Sequence, residues 1–314
     1  MVFSSKISQN PEKKLKSNGK LKNIFEKMKF LAQNVVYIKN YNNNKLKNGK
    51  IVQNLNTQSA ILNYLILSGS KHRNYELQLI DKNSPFLKSA QKLRFNSFFG
   101  DQFRKKKFDQ DIYDRFSEHL VVLDNSKFRK KVIGTYRLLT QEMMPSCYDF
   151  YTSSEFDISK LKKKSKNILE VGRSCVDESY RDGRIIKLLW RGLAREIMLR
   201  NPELVMGCAS FSTIDPNQII EELSYLQHFH HPPKSFDTLP IKSKALKFKV
   251  LKKSDLNPKT IFQRLPPLIK AYIRTGAWFG TGCVVDNEFN TIDVCVILKT
   301  QNIKNKYLDL GKRK

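Results

Sequence analysis

The chain predicts an α/β fold in which helices flank one central sheet, mixed but mostly antiparallel, and three stretches of its 314 residues carry that prediction. EHLVVLD (118–124) and KKVIGTYRLL (130–139) are apolar extended runs separated by a polar segment, the pattern of an antiparallel hairpin. Asn167–Leu199 passes from an apolar strand, through a polar turn containing Gly183, into an amphipathic helix. LVMGCASF (204–211) and TIDVCVILKT (291–300) add buried strands around further helical segments.

Taken in order, residues 1–73 are rich in Lys, Asn, Ser and Gln and predict a basic, largely disordered extension. Its island Ile24 to Val36 has the spacing of a basic amphipathic helix, suited to an anionic lipid surface or to packing on the domain. The folded domain is expected over 74–308, with a basic tail over 309–314. YELQLI (75–80) is the first strand, and Ser84-Pro85 is an N-cap and first helical residue for a helix ending at Phe98. Asp101 to Phe116 carries Asp109, Asp111 and Asp114 among basic residues and predicts a solvated loop. Glu155 to Lys164 predicts a short basic helix.

In the central stretch, Ile168, Leu169, Val171 and Val176 form a strand interrupted by Glu170, Gly172, Arg173 and Ser174. Its helix presents Ile186, Leu189, Trp190, Leu193 and Ile197 on one face. Asp215-Pro216 opens a helix to about Phe229; Pro240 to Asn257 is a lysine-rich connection with a strand in it. Pro266-Pro267 begins a helix that stops at Gly276.

Lys and Arg number 57 against 29 Asp and Glu, a formal charge of +28, so an acidic partner is expected: nucleic acid, an anionic membrane or an acidic carrier protein. Nucleic acid is disfavoured, since no aromatics interleave with the lysines and no known module is present. Five scattered cysteines without a CxxC pair indicate neither disulfides nor a zinc site, and His228, His230 and His231 read as a loop terminus. Without a signal-peptide apolar region or a spanning run, a cytoplasmic protein with peripheral membrane contact is expected.

Two features of the central stretch carry chemistry. A carboxylate inside an apolar strand must be paired, hydrogen-bonded or raised in pKa, which singles out Glu170; a bulge at Gly172 would bring Arg173 to it. Arg181, Gly183 and Arg184 lie at a helix N-terminus, where backbone N–H groups and guanidiniums attract phosphate.

AQKLRFNSFF (90–99), FSEHLVV (116–122), GTYRLL (134–139), LEVGRSCV (169–176), LLWRGL (188–193), GCASF (207–211), PPLIKAYIRTGAW (266–278) and FNTIDV (289–294) together resemble the GNAT N-acyltransferase superfamily. Within it they resemble the L-ornithine N-alpha-acyltransferases over about 75–307. In the first half, Arg94, Phe98, Asp111, Asp114, Arg137, Glu170 and Arg173 also match functional positions of acyl-homoserine lactone synthases in type and order.

The resemblance implies transfer of a fatty acyl group, 3-hydroxylated by expectation, to the α-amino group of ornithine. It implies no tightly bound cofactor, the donor being the phosphopantetheine thioester of acyl carrier protein or an acyl-coenzyme A. Arg181-Asp182-Gly183-Arg184-Ile185 keeps one small residue where the fold's donor signature has two, which fits the carrier protein. Glu170 is then the expected base, and backbone N–H groups at Cys175 and Val176 the oxyanion donors, with Cys175 as nucleophile the alternative. Arg94, Arg137 and Arg173 are candidates for the ornithine carboxylate, Asp111 and Asp114 for its distal ammonium. The rival activities are a lactone-type signal synthase and an acetyl-coenzyme A acetyltransferase.

Overall fold

The computed structural model describes residues 74–100, 107–126 and 128–303. The basic extension, with its amphipathic island, and the C-terminal tail lie outside them.

Eight strands form the main sheet. β1 (Tyr75–Ile80), β2 (Glu118–Asp124), β3 (Lys131–Thr140) and β5 (Ile168–Val176) are antiparallel neighbours in that order. β4 (Phe156–Asp157) stands apart and pairs with β7 (Leu239–Pro240). Beyond β5 the sheet continues with β6 (Leu204–Phe211) and β10 (Thr291–Lys299), and β8 (Trp278–Phe279) and β9 (Val284–Asp286) both pair with β10. The hairpin and the antiparallel character follow the sequence pattern.

The exception is the junction of β5 and β6, the one parallel pairing among the described residues. It runs only from Ile168 opposite Leu204 to Glu170 opposite Met206, after which the strands part. Gly207 sits at the apex: a Cβ there would lie 2.2 Å from the Val171 carbonyl oxygen, so any side chain would drive the strands apart.

The other edge of β5 is bulged. Arg137 faces Gly172 and Thr135 faces Cys175, which leaves Arg173 and Ser174 together opposite Tyr136. Arg173 takes the left-handed region, φ 51°, and its side chain is thereby re-aimed.

Helices cover both faces. α1 (Leu87–Phe98) places Ala90 and Leu93 on Val121, Leu123 and Val132, while α2 (Ser159–Lys164) is short and basic. On the opposite face α3 (Arg184–Arg200) packs Ile185, Leu188, Leu189 and Leu193 against Leu120, Val122 and Ile133. β2 therefore alternates between two cores and is apolar along its length, each fully buried Leu or Val contributing about 1.5–3 kcal/mol.

Several local expectations change. The helix after Ser84-Pro85 begins at Leu87, those residues forming the turn into it. Only the second half of 155–164 is helical, because Phe156 and Ile158 are drawn into a core beside β7. The buried face of α3 is rotated about one residue from the expected stripe: Ile186, Trp190 and Ile197 are partly buried, and Gly192 makes the closest approach to Leu77 and Leu120. α4 (Ile220–Phe229) follows a short turn from Pro216. The connection after β7 is irregular apart from a bridge at Ala245 and a 3-10 turn at Lys253–Asp255, and it ends in a helix that the pattern missed, α5 (Pro258–Arg264), capped by Asn257. α6 (Pro267–Thr275) ends at Gly276, φ 93°, as expected.

Candidate active site

The parting of β5 and β6 opens a cavity of about 400 Å³, within the range of small-molecule sites. Its walls are Val171 to Ser174 of β5 and Gly207 to Ser210 of β6, with Arg137, Tyr151 and Tyr272 reaching in from neighbouring elements.

Glu170 lies at the throat, buried. Its Oε1 accepts from the Thr152 N–H (2.7 Å) and hydroxyl (2.5 Å), its Oε2 from the Tyr151 N–H (3.0 Å). Burial raises its pKa, and the Thr152 bonds and the Arg137 charge pull it part of the way back. A carboxylate so held keeps one lone-pair direction for a ligand and a raised affinity for a proton.

The expected pairing of Glu170 with Arg173 is replaced by another arrangement. The bulge carries the Arg173 guanidinium to Asp109 (3.3 Å) and Asp111 (3.2 Å), between the rings of Tyr151 and Phe289 at 4.9 and 4.5 Å.

The segment expected to be a solvated loop is instead the acidic half of a buried network, with Asp109 and Asp114 both under 10% exposed. Arg94, fully buried, holds Asp114 through both terminal nitrogens at 2.8 Å and Asp109 through Nε at 2.7 Å. Asp111 accepts two bonds from Arg137, at 2.6 and 2.7 Å, and forms a reciprocal capping box with Asp114. Three guanidiniums and three carboxylates thus compensate one another. Arg94 sits outside the cavity lining, and Asp111 and Asp114 are both ion-paired to arginines and do not line the cavity. Of the guanidinium candidates, Arg137 and Arg173 line the cavity, as does Phe98, which stacks edge-on to Phe289 at 5.6 Å.

Cys175 and Val176 lie beyond the part of β5 that faces the cavity. The Cys175 thiol points into the apolar layer under α1, and burial pushes it up to about 12, which leaves it protonated and poorly suited to nucleophilic attack. Arg181 and Arg184 are exposed at the start of α3, with Gly183 in the left-handed region, φ 87°. Arg181 donates to the Val176 carbonyl at 3.2 Å, and Arg184 pairs with Asp182, whose carboxylate also accepts the Arg184 N–H at 2.9 Å. The three histidines disperse to the Leu251 carbonyl, Tyr225 and Thr281, and gather no metal set.

The structure adds residues that were not singled out. Tyr136 and Tyr272 line the cavity with their hydroxyls hydrogen-bonded to each other, and burial holds Tyr272 up at about 12. Asp286 and Asp293 line the cavity, and Glu155 lies behind them. Tyr136, Tyr272 and Asp293 fall inside GTYRLL, PPLIKAYIRTGAW and FNTIDV, so motif membership was their available signal. Thr152 and Glu155 had none.

Residues 93–191 match the family model described as an acetyltransferase (GNAT) domain. The chain is 34% identical to the L-ornithine N(alpha)-acyltransferase of Agrobacterium fabrum over 239 residues, 72% of this chain and 82% of that one. It is 35% identical to the enzyme of that name from Rhizobium meliloti, over 65% of this chain and 71% of the relative. Among solved structures, a coenzyme A-dependent acyl-homoserine lactone synthase is similar at 12% identity and a TM-score of 0.41, covering 76% of this chain and 90% of that one.

Proposed function

Since the chain belongs to the L-ornithine N(alpha)-acyltransferase family of GNAT-fold N-acyltransferases, we propose that it transfers a fatty, 3-hydroxylated acyl group from acyl carrier protein to the α-amino group of L-ornithine. The observation that carries this reading is Glu170: a buried, raised carboxylate fixed by three hydrogen bonds at the mouth of a strand split.

The α-ammonium of an amino acid, with a pKa near ~8, must lose a proton before it can attack. Glu170 accepts it, directly or through a water. The nitrogen adds to the thioester carbonyl, and the developing oxyanion meets N–H groups of the bulged Gly172–Ser174 backbone, upstream of Cys175 and Val176. Collapse breaks the C–S bond, and the Tyr136–Tyr272 hydroxyl pair passes a proton to the departing thiolate while taking up the second proton of the former amine nitrogen, so the amide leaves neutral and the pair is restored. Arg137 or Arg173 receives the ornithine carboxylate. Arg181, Gly183 and Arg184 offer the exposed, basic helix N-terminus for the phosphopantetheine phosphate, and the formal charge of +28 favours an acidic carrier protein and contact with an anionic membrane. No helix among the described residues is long and apolar enough to cross a membrane.

The test incubates the full chain with L-ornithine and either 3-hydroxyacyl carrier protein or the matching acyl-coenzyme A, and follows N-acyl-ornithine by mass. Product from the carrier protein, with Glu170→Gln slowed at least a hundredfold, is the expected result. Product only from coenzyme A would change the donor; product only with another amine would change the acceptor.

A further inference from the structure

Asp286 and Asp293 line the cavity from β9 and β10, and Glu155, just before β4, lies directly behind them, so three carboxylates gather on this side of the site. Carboxylate oxygens of Glu155, Asp286 and Asp293 lie within 4.8 Å of one another, and all three residues are buried. Asp286 is partly occupied: its Oδ1 accepts the Glu288 and Phe289 N–H groups at 2.8 and 3.2 Å, and its Oδ2 the Tyr151 hydroxyl at 3.4 Å.

Glu155 differs in kind. It has no exposed surface, and neither side-chain oxygen has a partner at full hydrogen-bond geometry among the described residues, the Cys208 and Tyr151 side chains only approaching it and lowering its pKa somewhat; the Asp293 Oδ1 is likewise without one. Leaving such a group without a partner costs stability, and like charges in one low-dielectric pocket add to that. Burial first, then the neighbouring Asp293 charge, raises the pKa of Glu155; burial likewise raises that of Asp293.

Little of this is relieved from within the chain: the Arg173 charge lowers the Asp293 pKa only against the larger effect of burial. The guanidiniums lining the cavity are Arg137 and Arg173, both paired with acids of the network on the other wall, and no lysine is among the described lining residues. A cation from outside the chain would take the place of the proton that burial otherwise favours on this cluster.

Tyr151 sets the distance. Its backbone N–H donates to Glu170 and its hydroxyl reaches Asp286, so the base and the acidic wall stand about one tyrosine side chain apart. That is close to the separation of the two nitrogens in an extended ornithine.

We propose that Glu155, Asp286 and Asp293 form the subsite for the distal ammonium of a diamino acid acceptor, selecting ornithine over amines that lack it. This rests on the reading of the site as an ornithine acyltransferase. The bound ammonium would donate to the orphaned oxygens of Glu155 and Asp293 and neutralise part of their mutual repulsion.

The experiment measures kcat/KM for L-ornithine and for L-norvaline, the same chain without the terminal amine, in the wild type, Glu155→Gln and Asp293→Asn. The expected wild-type ratio is at least a hundredfold in favour of ornithine, and it falls at least tenfold in each variant through KM for ornithine. Thermal unfolding of Glu155→Gln at or above the wild-type midpoint, as expected on removing an unpaired buried charge, separates this from misfolding. A wild type that acylates both amines alike, or variants that keep the wild-type ratio, overturns the subsite while leaving the acyltransferase reading intact. If the wild type acylates no ornithine at all, the reading it rests on fails, and the acidic wall is then judged by calorimetry with 1,4-diaminobutane: binding lost in both variants supports a cation subsite, and no binding to the wild type overturns it. Stoichiometric Mn²⁺ binding that Glu155→Gln abolishes, without a change in the amine ratio, would assign the cluster to a metal ion and overturn the ammonium subsite.

Discussion

The carbonyl oxygen of Val171 lies where a side chain on Gly207 would begin, 2.2 Å from the position of its Cβ, and this contact closes the apex from which β5 and β6 diverge. The obstacle is backbone, so it cannot swing aside.

Gly207→Ala is therefore expected to lose about 3 kcal/mol or more of stability, together with transfer activity. Gly172→Ala is the control, since nothing lies within 4 Å of a Cβ at Gly172. Denaturant unfolding of the two variants checks the contrast; equal stabilities would remove the role given to Gly207.

Thr152 tunes Glu170. Its hydroxyl and its N–H both favour the carboxylate, and Thr152→Val removes the hydroxyl bond alone, so it should raise the Glu170 pKa further and move the acid limb of the kcat profile to higher pH. Glu170→Gln should lose that limb and at least a hundredfold in kcat. The pH dependence of both variants is the measurement, and an unmoved limb in Thr152→Val would dissociate Glu170 from proton transfer.

The Arg94–Asp114 pair is expected to be worth more when broken than when replaced. Asp114→Asn should destabilise by about 3–5 kcal/mol, because it leaves much of a buried guanidinium uncompensated. Arg94→Met combined with Asp114→Leu should cost clearly less than the sum of the single losses. A double-mutant cycle in urea reads the coupling directly.

His119 supplies a pH dependence of known sign. It is fully buried beside Arg94, Arg137, Asp111 and Asp114, and burial lowers its pKa from 6.5 to about 4. The unfolded chain takes up a proton at a pH where the folded chain does not, so the stabilising contribution is complete above about 6.5 and is lost as pH falls toward 4. Between pH 7 and 4.5 this amounts to about 2 kcal/mol. The raised acids Glu155, Glu170 and Asp293 act in the opposite sense, and comparison with His119→Gln isolates the histidine. Equal pH slopes for the two proteins would contradict the assignment.

How far the sequence reached is visible in particular residues. The apolar runs of β2 and β3, the strand–turn–helix from Ile168 to Arg200 and the Pro-started, Gly-stopped α6 were legible because period, caps and turn residues are local properties. Glu170 was legible for a related reason: a carboxylate in an apolar strand is costly wherever the strand packs. The order of the motifs, through their resemblance to the GNAT superfamily, identified an N-acyltransferase.

The assignment of acids to bases was decided by the tertiary structure. Asp111 and Asp114 have the residue type for an ammonium site, but the fold delivers Arg94 and Arg137 to them from 20 and 26 residues away. Arg173 was expected beside Glu170, and one bulged residue with φ 51° turned it to Asp109 and Asp111 instead. Glu155 is far in the chain from Asp286 and Asp293, and the three become one acidic cluster only because β9 and β10 fold against the segment before β4. Charge pairing depends on distance in space and on access to water, and neither is a property of neighbours in the chain.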